Sequence, residues 1–196
     1  MTNTSPQTGG LEGLATQVKA VRGPPPVHLW NPPFCGDLDM RIGADGTWYY
    51  MKTPIGRMPL VKLFSSVIKL EGGKYFLVTP VEKIGITVDD APFAAVEMRA
   101  EGEGRGRKLA FRTQVDEWVE VGPGHDLRFE KEAGTDGLKP YVHVRRDLWA
   151  RVSRALFHEL ASLGEIAAVE GHDWFGVYAA DTFYPMVPAR EIEGLM

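Results

Sequence analysis

The side chains in this sequence best suited to hold an anion are arginines standing just before apolar helical stripes. Arg57 precedes Pro59, and Arg145 with Arg146 precedes Leu148. A helix N-terminus favours negative charge, and a guanidinium there adds a planar double donor for phosphate or carboxylate. A basic residue opposes the helix dipole at that end, so its presence needs a reason. The bland reason is a salt bridge to one of the 26 acids. Other patterns carry less. Gly102-Glu103-Gly104-Arg105-Gly106-Arg107 is glycine-rich, but a strand-like run follows it where a phosphate cradle needs a helix, so it reads as a hairpin loop. Gly-His-Asp occurs at 124–126 and again at 171–173. Two His/Asp pairs could bind metal or exchange protons, yet each stands where a turn enters a strand, a place that suits Gly and Asp for backbone reasons. His158-Glu159 lacks the second histidine of a helical zinc motif. Cys35, between Phe34 and Gly36, is a possible nucleophile that reads better as a small core hydrophobe. No catalytic motif, metal set or cofactor fingerprint is present, and none of these groups is assigned to catalysis, metal or cofactor.

The elements that must position these residues repeat. Asp37-Leu38-Asp39-Met40-Arg41-Ile42, a turn at Asp45-Gly46 and Trp48-Tyr49-Tyr50 predict a hairpin. A helix from Pro59 to Leu70, ended by Gly72-Gly73, and a strand at 75–78 follow. Asp126-Leu127-Arg128-Phe129-Glu130 and Tyr141-Val142-His143-Val144 predict a second hairpin, followed by a helix from Asp147 to Leu163 and a strand at 174–178. Leu38 aligns with Leu127 at an offset of 89 positions and Leu60 with Leu148 at 88. Between Phe93 and Val144 apolar and polar residues alternate, which predicts an antiparallel meander with one wet face. The expected class is α+β: mostly antiparallel sheets with a duplicated hairpin–helix–strand unit. The expected divisions are a disordered start with a docking helix over 1–26, an α+β domain over 27–90, a second over 91–190, and a tail over 191–196. Leu11, Leu14, Val18 and Val21 carry the docking helix, and Gly23-Pro24-Pro25-Pro26 stops it. Residues 27–34 should run extended over an apolar surface.

Composition narrows the partners. With 196 residues, 44% of them hydrophobic, the chain can build a core. A net charge of -4 without a basic run argues against a nucleic-acid polymer. One cysteine and no apolar run of spanning length point to a cytoplasmic protein without disulfide or membrane segment.

Several motifs together resemble a bacterial family catalogued as domain of unknown function 1285. They are the run Cys35 to Ile42, Asp45-Gly46-Thr47-Trp48, Pro54-Ile55-Gly56-Arg57 and Leu77-Val78-Thr79-Pro80-Val81-Glu82-Lys83, continued by Val88-Asp89-Asp90-Ala91-Pro92-Phe93 and Pro140 to Arg145. The resemblance implies two α+β parts with a duplicated core, a C-terminal half similar to pleckstrin-homology domains, and a signalling role. It also implies a site where the parts meet for a nucleotide-like molecule. Turn chemistry alone accounts poorly for Trp48, Tyr50, Arg57, Thr79, Glu82 and Lys83. Arg57, Lys83, Arg112 and Arg145 are therefore the expected charge partners of a small anionic ligand, and Trp48, Tyr50 and Tyr141 its apolar walls. Thr79 and Glu82 complete the candidate set, although Glu82 could simply pair with Lys83 or Arg57. Two alternatives stay open. One is a protein-interaction module with no small ligand. The other, less favoured, is an acid–base enzyme using His125 or His143 with Asp116 or Glu82.

Overall fold

The structure is a computed structural model that describes residues 11–19, 25–135 and 137–192. The disorder expected for residues 1–10, the positions of Val21 and Gly23-Pro24, and the last four residues of the tail lie outside the described residues. The chain divides into two compact units, residues 1–43 with 47–89, and residues 44–46 with 90–196.

The first unit opens with helix α1 (Leu11–Lys19), whose Leu14, Ala15 and Val18 are buried. Strands β1 (Phe34–Ile42), β2 (Trp48–Tyr50) and β3 (Thr53–Pro54) precede helix α2 (Met58–Ser65), against which α1 packs. Strands β4 (Ile68–Glu71), β5 (Lys74–Val78) and β6 (Lys83–Val88) complete a sheet of order β3-β2-β1-β6-β5-β4. All neighbours are antiparallel except β1 and β6, which run parallel at the centre. Met40, Ile42, Trp48, Phe64, Leu77 and Ile84 form the core on one face. The segment before β1 is not the apolar strap expected. Val27–Leu29 is a short 3-10 turn in which Val27 is buried, while Leu29 and Phe34 are exposed.

The second unit begins with β7 (Phe93–Glu101), β8 (Lys108–Thr113) and β9 (Trp118–Glu120), followed by β10 (Leu127–Lys131), β11 (Leu138–Arg145) and β12 (Leu148–Val152). Its sheet has the order β10-β11-β12-β7-β8-β9, with β7 and β12 parallel. Helix α3 (Arg154–Ser162) follows. Then come the antiparallel strands β13 (Glu165–Val169), β14 (His172–Ala179) and β15 (Thr182–Pro188), and the short helix α4 (Ala189–Ile192), which takes up the start of the expected tail. Phe93, Leu109, Phe111, Val142, Ala150 and Leu160 are buried here.

Numbered within its own unit, each six-stranded sheet reads 3-2-1-6-5-4, with first and last strands parallel. The repeat is therefore real, but its register differs from the sequence alignment. By position β7 matches β1 and β10 matches β4, so Leu127 is not the counterpart of Leu38. One hairpin of a meander resembles the next, because both have period-two alternation and a glycine turn.

Both long helices are shorter than predicted. After α2, the hydroxyls of Ser65 and Ser66 donate to the carbonyls of Lys62 and Leu63, and Ile68–Glu71 leaves as a strand. Gly72 and Gly73, at φ +56° and +77°, form the tight turn into β5 rather than a helix stop. In the second unit Leu148, Ala150 and Val152 are buried on one face of β12, and the helix starts only after Ser153. The Leu148/Val152 spacing of four fits a strand as well as a helix, since four is a multiple of two. Consequently Arg145 closes β11 and Arg146 sits in the turn at φ +51°, so neither marks a helix start.

Candidate functional site

Six of the expected site residues belong to the first unit. Trp48 is 2% exposed and stacks on Phe64 at 6.4 Å, and its buried Nε1 has no hydrogen-bond partner among the described residues. Tyr50 is half-buried at the end of β2, opposite Met40 and Thr53. Thr79 is fully buried. Its hydroxyl oxygen accepts from the Glu82 N–H at 3.0 Å, and its own N–H donates to the Glu82 carbonyl at 2.9 Å. The Thr79–Lys83 motif is thus a tight turn tied by threonine, with Val81 at its exposed tip and Glu82 half-buried. That turn delivers Lys83 to Glu71 at 2.8 Å, with its ammonium 5.3 Å from the Phe76 ring centre. Lys69 meets the same carboxylate at 2.6 Å. Hydrogen bonds from Lys69 and then Lys83 hold the Glu71 carboxyl below the usual range.

The other three belong to the second unit. Arg112 donates to Glu97 at 2.7 Å and to Asp116 at 2.7 Å, so its guanidinium holds its proton still more firmly while the Glu97 carboxyl is pulled down. Arg145 pairs with Glu117 and lies 4.8 Å over Phe93. Tyr141 is 3% exposed and donates to Asp90 Oδ1 at 2.6 Å. Asp90 Oδ2 takes Arg151 at 2.9 Å, with Lys139 at 3.9 Å. Burial first, and the hydrogen bond to Asp90 second, drive the Tyr141 phenol well above its ordinary value. Arg128 lies over the Tyr141 and Trp149 rings at 5.0 and 4.2 Å. This Asp90-centred knot was missed by sequence reasoning. In the sequence Asp90 stands in a family motif beside a predicted boundary and Tyr141 in the candidate set, with nothing to join the two.

The histidines are tied to backbone. His125 Nδ1 faces the His143 carbonyl at 3.1 Å, and the two ring nitrogens of His143 face the carbonyls of Gly124 and Arg146. Asp116, one proposed acid partner, is taken by Arg112. Among the described residues no group of three or more His, Cys, Asp or Glu side chains could hold a metal ion. Cys35 is exposed, its thiol donating to the Pro33 carbonyl at 3.4 Å, which corrects its assignment to the core. His158 and Glu159 are on the exposed face of α3, and Gly102–Arg107 is the β7–β8 hairpin loop, as their sequence predicts.

Arg57 stands apart from the other expected cations. It occupies the cap position of α2, is exposed, and makes no hydrogen bond or ion pair through its side chain among the described residues. It lines a cleft of about 760 Å³ within the first unit, where Leu11, Glu12, Ala15 and Thr16 of α1 face residues 56–60. The helix end itself offers little. Pro59 has no N–H, and the Leu60 and Val61 N–H groups already bond the Arg57 carbonyl. Among the described lining residues, charge in this cleft comes from Arg57 and Glu12. The sequence names Arg57 as a candidate charge partner but does not show that α1 faces it. The amphipathic stripe of α1 shows that the helix docks and does not show where.

Comparison with known proteins places this geometry in a family. The family model for the N-terminal domain of DUF1285, a domain of unknown function, matches residues 25–91, and that for its C-terminal domain matches residues 92–186. A search of curated proteins finds no match. The chain is similar to the crystal structure of a DUF1285 family protein from Silicibacter pomeroyi, with 47% identity, a TM-score of 0.83, and coverage of 92% of this chain and 98% of that one. It is also similar to a DUF1285 family protein from Shewanella baltica, with 25% identity, a TM-score of 0.50, and coverage of 64% and 91%. With both domain models matched in order and a close fold match at nearly half identity, the chain belongs to the DUF1285 family.

Proposed function

We propose that this protein is a ligand-sensing module of signalling type that binds a small anionic molecule, with Arg57 as its charge partner. The observation that carries the reading is the contrast among the cations. Lys83, Arg112 and Arg145 are neutralised by Glu71, by Glu97 with Asp116, and by Glu117, whereas Arg57 faces a cleft with no side-chain partner among the described residues. A ligand meeting any of the other three would have to displace a carboxylate; at Arg57 it would not. The cleft volume is in the range that small-molecule sites occupy. A nucleotide-like ligand stays within this proposal. So does the pleckstrin-homology likeness of the C-terminal half, which the meander-rich sheet followed by α3 supports. A cytoplasmic setting is inferred on the same footing from the single cysteine. Among the described residues no helix is long and apolar enough to cross a membrane.

A thermal-shift screen of nucleotides and small organic acids tests the reading, because a ligand of the native state raises the melting temperature. The expected result is at least one stabiliser whose effect disappears in Arg57→Ala, with the melting temperature of the unliganded variant unchanged. A second reading, a protein-interaction module, is favoured by edge strand β13, where Ile166 is 53% exposed beside a groove of about 640 Å³ that includes Trp174 and Pro188. A screen with no stabiliser would move the weight to that reading.

A further inference from the structure

We propose that the occupant of the Arg57 cleft is an aliphatic monocarboxylate, a molecule with one negative head and an apolar, ring-free body. This rests on the binding reading above and narrows it. The body is set by the walls. Leu11, Ala15, Met58, Pro59 and Leu60 line the cleft, and no aromatic ring is among its described lining residues. A nucleobase draws much of its binding from stacking on rings or guanidinium planes. Here it would find at most the single guanidinium that the anionic group also needs. An alkyl chain needs only apolar area removed from water, and these five side chains supply it.

The head is set by charge. Arg57 can give a carboxylate two parallel N–H donors. Glu12, in the first turn of α1, lines the same cleft, so the local charge of the described lining is balanced. A polyphosphate would gain one cation and meet a carboxylate with its remaining charge. A monoanion satisfies Arg57 and leaves its neutral end for the apolar wall. The Thr16 hydroxyl already donates to the Glu12 carbonyl at 2.8 Å, so the head group draws its charge-assisted bonds from Arg57, with the backbone of Gly56 as the remaining polar lining.

The test is isothermal titration of the full chain with butyrate, hexanoate, octanoate and decanoate, and with adenosine monophosphate and inorganic phosphate as competing classes. Affinity is expected to rise about fourfold per added methylene until the cleft is filled. Phosphate and the nucleotide should bind more weakly than octanoate. Arg57→Ala should reduce octanoate affinity by about tenfold or more, since it removes a charge-assisted pair. Glu12→Gln should tighten octanoate binding by removing the repelling charge. Three results overturn the inference. Carboxylates that fail while the nucleotide binds through Arg57 refute the aliphatic body and leave the binding reading standing. Carboxylates that bind equally to wild type and Arg57→Ala refute the head-group assignment. No binding by any compound removes both the inference and the reading beneath it.

Discussion

At the residue scale, the tyrosines carry more information than the exposed arginines. The Tyr141 and Tyr184 hydroxyls donate to Asp90 at 2.6 Å and Asp126 at 3.3 Å, and both phenols are pushed up, Tyr184 to about 12. Burial is the first cause in each case, and the carboxylate beside the phenol adds to it. The sign follows from linkage. The fold holds both phenols neutral, so their contribution to stability is complete below pH 10, where an unfolded tyrosine begins to ionise. It is lost as pH rises through the folded values. Ultraviolet titration of tyrosinate should show two late-ionising groups, with unfolding accelerating toward pH 12. Tyr141→Phe should remove one of them. It should also cost about 1–3 kcal/mol in denaturant unfolding at neutral pH, because Asp90 Oδ1 loses its donor in a largely buried setting. A neutral-pH stability equal to wild type would mean that Arg151 and Lys139 satisfy Asp90 without the phenol.

At the element scale, the boundary between β12 and α3 decides what Arg145 can do. Leu148 to Val152 has a spacing that both periods satisfy. The competition is won by the sheet, because β12 pairs with β11 on one side and with β7 on the other. A helix there would leave the edges of two strands without partners. Ser153 then caps α3, its side chain accepting from the Leu156 N–H at 3.4 Å. Ser153→Ala should lower stability by about 0.5–1 kcal/mol, at the small end for caps since this bond is long. Ser153→Asp should restore it. If alanine has no effect on the melting temperature, the cap adds nothing beyond solvent. Ser153 is a cap signal in the sequence, but the apolar spacing that begins at Leu148 extends the predicted helix across it.

At the scale of the whole molecule, stability resides in buried rings and aliphatic side chains rather than in ion pairs. Phe111 is fully buried in the second unit's sheet, and Phe111→Ala should cost about 3–5 kcal/mol by transfer loss and cavity together. Removing Lys83, whose partner Glu71 is about one-third exposed, should cost less than about 1 kcal/mol. Comparing the two by chemical denaturation checks the ranking; a larger loss from Lys83→Ala would mean that the Glu71 pair carries structural weight its exposure does not indicate.

The sequence by itself determined local matters: the glycine turns, the alternating runs, the helical stripes of α1 and α2, the family motifs and the lack of any metal or nucleophile signature. Each depends on residues within a few positions of one another, where backbone sterics and period decide. Only the tertiary structure decided the register of the duplication, because equivalence rests on which strands pair across about fifty residues, and every hairpin of a meander carries the same alternation. It also decided the fate of the cations. Whether a guanidinium is neutralised depends on which carboxylate the fold brings within reach, and for Lys83, Arg112 and Arg145 the fold supplied one. For Arg57 it supplied a cleft.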